Sequence, residues 1–88
     1  MSEDTLEIAL EPIDNQRLAN LCGVLDENLR QIANALDVNI ARRGAEFRID
    51  GSAAQRSLAA HALNQFYARA TEALGVEDIQ LALIELGH

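Results

Sequence analysis

The chain has no tryptophan, one tyrosine and two phenylalanines in 88 residues. A core with so few rings must be built from Leu, Ile, Val and Ala, so helix packing should dominate. Lysine is also missing. All seven basic residues are arginines, set against fourteen acids for a net charge of −7. Without lysine the chain cannot supply the phosphate-binding motif G-x-x-x-x-G-K-[ST]. Its negative sum repels polyphosphates at long range, which argues against tight nucleic-acid binding. The lone Cys22 cannot form an internal disulfide, and its place in an apolar helical pattern predicts a core thiol. There is no signal-peptide pattern, no apolar run of membrane-spanning length, no repeat and no low-complexity tract, which predicts a cytoplasmic protein. What is present is globular: 49% apolar and 24% charged residues, enough for one domain.

Residues 1–5 read as a disordered N-terminus. Leu6, Ile8 and Leu10 alternate with Glu7 and Ala9, the pattern of a strand with one buried face, and Pro12 ends it. Asp14 or Asn15 can cap a short helix with Leu18, Leu21 and Cys22 on one side. Gly23 interrupts it. A second helix, with Asp26 placed to cap it, keeps Leu25, Leu29, Ile32, Ala33 and Leu36 on one face. Val38 and Ile40 open a strand, Arg42-Arg43-Gly44-Ala45 is a turn region, and Phe47 and Ile49 alternate on the returning strand of a hairpin. Ser52-Ala53-Ala54-Gln55 is a capping box opening a long helix. Leu58, Ala59, Ala62, Phe66, Ala70 and Ala73 form its stripe, and Leu74-Gly75 ends it. Glu77 and Asp78 start a last helix, which contains the apolar run Leu81-Ala82-Leu83-Ile84. The fold class is therefore α+β, β-α-α-β-β-α plus a C-terminal helix. The economical packing is a three-stranded antiparallel sheet with helices on one face.

This order resembles the K-homology (KH) fold, whose Gly-x-x-Gly loop between two helices clamps a nucleic-acid backbone. The corresponding loop is Gly23-Val24-Leu25-Asp26, with the second Gly replaced by Asp. The run Asn15-Gln16-Arg17-Leu18-Ala19-Asn20-Leu21-Cys22-Gly23, continued by Asp26-Glu27-Asn28-Leu29-Arg30-Gln31-Ile32, is similar to the N-terminal domain of PhoH-like (phosphate starvation-inducible) proteins. Arg42-Arg43-Gly44 and Val76-Glu77-Asp78-Ile79 fit the same pattern. The resemblance implies a KH-like domain over 6–75. It also implies a helix over 76–88 leading toward a P-loop ATPase domain that these residues do not contain. ATP and Mg would belong to that domain. The chain itself carries no catalytic, cofactor-binding or metal-binding set, and it is expected not to be an enzyme.

Three features remain as candidates. Gly23, Val24, Leu25 and Asp26 with Arg30 could clamp RNA. Asp26 opposes this by occupying space and by presenting a carboxylate where phosphate would sit, and the plain alternative is a capped turn. Alternation from Val38 and Ile40, and from Phe47 and Ile49, points Arg43 and Arg48 away from the core. Arg42, Arg43 and Arg48 could contact phosphates, or the hairpin could be solvated, with Arg43 and Arg48 partly neutralised by Glu46 and Asp50. No outward aromatic stands nearby to stack bases. His61 has no partner at ligand spacing, and His88 is terminal. The tail residues Ile79, Leu81, Leu83, Ile84 and Leu86 are apolar on every side. They suggest contact with an ATPase domain or a second copy, unless the domain swallows them whole. The expected function is that of a non-catalytic accessory domain of a PhoH-like ATP-binding protein. It would act in protein contact or oligomer assembly with weak RNA contact at most, and Leu83→Glu should abolish self-association. The alternative is a working single-stranded RNA-binding KH module. No membrane partner is expected.

Overall fold

A computed structural model describes residues 5–86. The expected disorder at 1–4 and the terminal His88 lie outside the described residues, whereas Thr5 already stands in a strand, opposite Asp50. Strand β1 (Thr5–Ala9) is followed by α1 (Asn15–Cys22), a 3-10 turn (Val24–Asp26) and α2 (Glu27–Leu36). Then come β2 (Asn39–Arg43), β3 (Glu46–Asp50), α3 (Ala53–Arg69) and α4 (Val76–Glu85). The sheet is antiparallel in the order β1-β3-β2. The protein is thus α+β, and its element order matches the KH-like layout in outline.

Strand alternation decides which residues meet the helices. The register sets Leu6, Ile49 and Ile40 in one row and Ile8, Phe47 and Arg42 in the next, all on the helix-covered face. The other face carries Glu7, Ala41, Arg43, Glu46 and Arg48, which are all exposed. Phe47 and Ile49 are buried, with Leu10, Leu18, Leu21, Ile32, Leu36 and Leu63, in one continuous core.

The helix starts follow capping chemistry. The Asp14 carboxylate accepts from the Arg17 N–H at 3.1 Å, and Ser52 Oγ accepts from the Gln55 N–H at 3.3 Å. Asp78 Oδ2 accepts from the Gly75 N–H at 2.9 Å, so an acid of the first turn closes the start of α4. Helix α3 stops at Arg69, five residues before the predicted Leu74-Gly75 stop. Its buried stripe includes Leu63 and Tyr67, while Ala73 lies beyond the helix and is exposed. The connection from Ala70 to Gly75 runs instead across α1 and α2, held by two buried asparagines. Asn20 Nδ2 donates to the Ala70 carbonyl at 2.9 Å, and the Leu74 N–H donates to the Asn20 carbonyl at 3.1 Å. Asn28 Nδ2 donates to the carbonyls of Leu21 at 3.1 Å and Leu74 at 2.9 Å. Buried amides are stable only when satisfied in this way. The Tyr67 hydroxyl does similar work at the other end, donating to the Pro12 carbonyl and accepting from the Asp14 N–H at 3.1 Å.

Candidate functional site

The junction between α1 and α2 positions the candidate loop. Helix α1 ends when the Gly23 N–H donates to the Ala19 carbonyl at 2.9 Å. Gly23 then takes φ 77°, ψ −178°, a region essentially restricted to glycine. A Cβ there would also lie 2.9 Å from Nδ2 of the buried Asn28. The glycine that resembles the first Gly of a clamp therefore has a complete structural cause in the free protein.

Leu25 and Asp26 follow in left-handed backbone, at φ 53° and 59°. That conformation overturns two expectations. Leu25 does not join the buried face of α2; it precedes the helix and is 83% exposed, beside Val24 at 74%. Asp26 stands at the N-cap position of α2 but makes no side-chain capping hydrogen bond. A capping carboxylate needs extended backbone, as Asp14 has, to swing over the first N–H groups. Asp26 Oδ1 instead meets Arg42 Nη2 at 3.3 Å.

That ion pair lies along a cleft of about 350 Å³ between the turn, α2 and β2. Leu29, Ala33, Val38 and Ile40 supply its apolar lining, and Arg30 and Arg42 its cationic part. Arg30 donates to the Leu25 carbonyl and so holds the strained turn. The pair is partly exposed, with side chains 28% and 47% accessible, and such a pair contributes only about 0–1 kcal/mol. Beside it, burial pushes the Cys22 thiol up to about 11; Arg42 opposes that shift and Asp26 adds to it. Cys22 is a core residue, as its pattern implied.

The structure thus gathers Gly23, Val24, Leu25, Asp26, Arg30 and Arg42 but separates Arg43 and Arg48 from them. These two point from the opposite face of the sheet, over a shallow hollow of about 660 Å³. Arg43 stands opposite Glu46, and Arg48 opposite Glu7. Arg48 Nε also lies 3.8 Å from Asp50 Oδ1. Arg42 and Arg43, expected in a turn, are strand residues, and pleating sends neighbours to opposite faces.

No family model matches the chain, and no solved structure gives a significant match. Geometry alone therefore carries the functional argument.

The tail divides in the same manner as the arginines. Ile79 and Leu83 are buried in the domain's own core and Leu86 is half-buried, so these three are not a free surface. Leu81 and Ile84, one turn apart, are 64% and 57% exposed on the outer side of α4. Among the described residues no group of three or more His, Cys, Asp or Glu could hold a metal ion, and His61 is exposed on α3. No helix of the described residues is long and apolar enough to cross a membrane. The residues that sequence reasoning missed are Asn20, Asn28 and Tyr67. Asn28 had left a signal: it shares the face of Ile32 and Leu36 at intervals of four.

Proposed function

We propose that this domain is a non-catalytic, cytoplasmic accessory module that acts by protein contact and oligomer assembly through the outward side of α4. The observation that carries this is the pair of exposed apolar residues, Leu81 and Ile84, on the outward side of that helix among Glu77, Gln80 and Glu85. Ile79, Ala82 and Leu83 anchor it to the core while Leu81 and Ile84 stay in water. Burying what remains exposed of both on a partner would contribute about 1–2 kcal/mol per side chain. Further copies of the module, or an ATPase domain of the kind the resemblance to PhoH-like proteins implies, would cover that side.

Sedimentation velocity over a range of concentrations tests this. The wild-type chain should self-associate, and Leu81→Glu and Ile84→Glu should each leave a folded monomer. Leu83→Glu is unsuitable for this purpose, because Leu83 is a core residue and its loss would unfold the domain. A wild-type chain that stays monomeric at every concentration would refute assembly through α4.

A second reading, contact with single-stranded RNA, is favoured by one feature, the placement of Arg30 and Arg42 along the cleft. Asp26 already occupies Arg42, and the apolar Val24 and Leu25 give the loop no charge for a phosphate. Titration with short RNA at low salt should therefore give at most weak shifts at residues 23–30, lost as salt rises.

A further inference from the structure

Strand β2 is an edge. The order β1-β3-β2 pairs Asn39–Arg43 with β3 on one side only. Among the described residues no other backbone hydrogen bond reaches these five residues. An edge strand offers unpaired N–H and C=O groups on alternate residues, a template for another chain. Immediately beside this edge lies the cleft against α2, where Ala33 and Ile40 are half-buried over the buried Leu29 and Val38, and Asn34, Asn39, Arg30 and Arg42 complete the lining. A free strand edge flanked by a groove of mixed polar and apolar lining is an arrangement by which extended peptides are recognised. Main-chain bonds supply affinity, and alternate side chains supply specificity.

Charge indicates which peptide. The chain is strongly acidic as a whole, yet the end of β2 carries Arg42 and Arg43, partnered by Asp26 and Glu46, and Arg30 lies across the cleft. The other sheet edge, β1, carries Glu7 and no cation. Arg42 meets the Asp26 carboxylate at 3.3 Å, so the guanidinium is oriented toward an anion at the cleft, and any incoming carboxylate, like a phosphate, must displace Asp26.

We propose that β2 and the cleft beside it accept an extended acidic peptide segment of a partner protein by strand addition. An antiparallel segment would set one carboxylate opposite Arg43 on the open face and the next opposite Arg42 at the cleft. It would set an apolar side chain opposite Ile40, over the groove. The Asp26 carboxylate competes with the incoming one for Arg42, so the site is self-restrained. This proposal uses different residues from the α4 surface and does not depend on it.

The probe is an end-capped eight-residue peptide, Thr-Glu-Glu-Thr-Val-Thr-Val-Thr, titrated into the whole chain at low salt and followed by NMR amide shifts. Two further versions are N-methylated on one or the other alternate set of residues. Shifts should concentrate on Asn39–Arg43 and the facing side of α2. One N-methylated set should abolish binding and the other leave it intact, because only alternate N–H groups face β2. Arg42→Gln should weaken binding by about five-fold, and Asp26→Asn should strengthen it by a similar factor. Circular dichroism would confirm that both variants are folded. The proposal is overturned by no binding at about 1 mM peptide, by equal binding of both N-methylated sets, or by shifts located on α4 or on β1. It is also overturned if a ten-nucleotide oligouridylate displaces the peptide and binds the same residues more tightly.

Discussion

Replacing Gly23 with alanine separates a structural glycine from one kept for a ligand. The substitution has two costs in the free protein. The backbone at φ 77°, ψ −178° is strained for any residue with a Cβ, by about 1–3 kcal/mol. The new methyl would also stand 2.9 Å from Asn28 Nδ2. Asn28 is almost fully enclosed and cannot move without loosening its bonds to the Leu21 and Leu74 carbonyls. Two such bonds contribute about 2 kcal/mol together. The expected loss is therefore about 3–5 kcal/mol, out of the 5–15 kcal/mol typical of small domains. Urea denaturation followed by far-UV circular dichroism measures it directly. The double mutant with Asn28→Ala then isolates the contact: without the amide, Gly23→Ala should cost only the backbone strain, leaving a coupling of about 2 kcal/mol. A loss below about 1 kcal/mol, or strict additivity, would refute the reasoning and return the glycine to a ligand-binding explanation.

Two other outcomes follow from the same geometry. Asp37 ends α2 in left-handed backbone at φ 55° with an acid at the negative end of the helix. Asp37→Gly relieves the conformation and removes the unfavourable charge, offset by glycine's greater chain entropy, and should stabilise the domain by about 1 kcal/mol. Asp37→Ala, which leaves the conformation strained, should gain less in the same urea assay. The Cys22 thiol, raised from 9.0 to about 11 in the folded chain, keeps its proton after the unfolded thiol has lost its own. Its contribution is complete below pH 9 and is lost as pH rises toward 11, a fall on the order of 3 kcal/mol. Subtracting the pH profile of Cys22→Ala from that of wild type should expose that fall; parallel profiles would show that the buried thiol does not titrate in this way.

Much of the fold was legible because local patterns and the final packing agree. The Asp14 and Ser52 caps, the alternation of Phe47 and Ile49 and the apolar side of α1 all form as the sequence implies. The departures come from long-range effects. Helix α3 ends early because Asn20 and Asn28, distant in sequence, hold residues 70–75 against α1 and α2. Leu25 has helical spacing with Leu29 but is turned outward by a left-handed junction that spacing does not encode. At the candidate site alternation sent Arg43 and Arg48 away from the core, as the structure has them, but nearness in sequence still grouped Arg42 with them, although it lies on the helix-covered face. The run 81–84 was apolar on every side, and only packing revealed which side faces water.

The amide clamps at Ala70 and Leu74 have one more consequence. Gln31 Nε2 also reaches the Val76 carbonyl at 3.1 Å, so the entry to α4 is fastened to α2 at successive points rather than left to swivel. The cleft beside β2 and the exposed side of α4 are thereby held on a single body measuring 36 × 26 × 20 Å. The two proposed surfaces, held at a set spacing, would act as a ruler. A partner whose own features matched that spacing would meet the second surface at a high effective concentration once the first was engaged, and a partner that matched only one would gain nothing from the other.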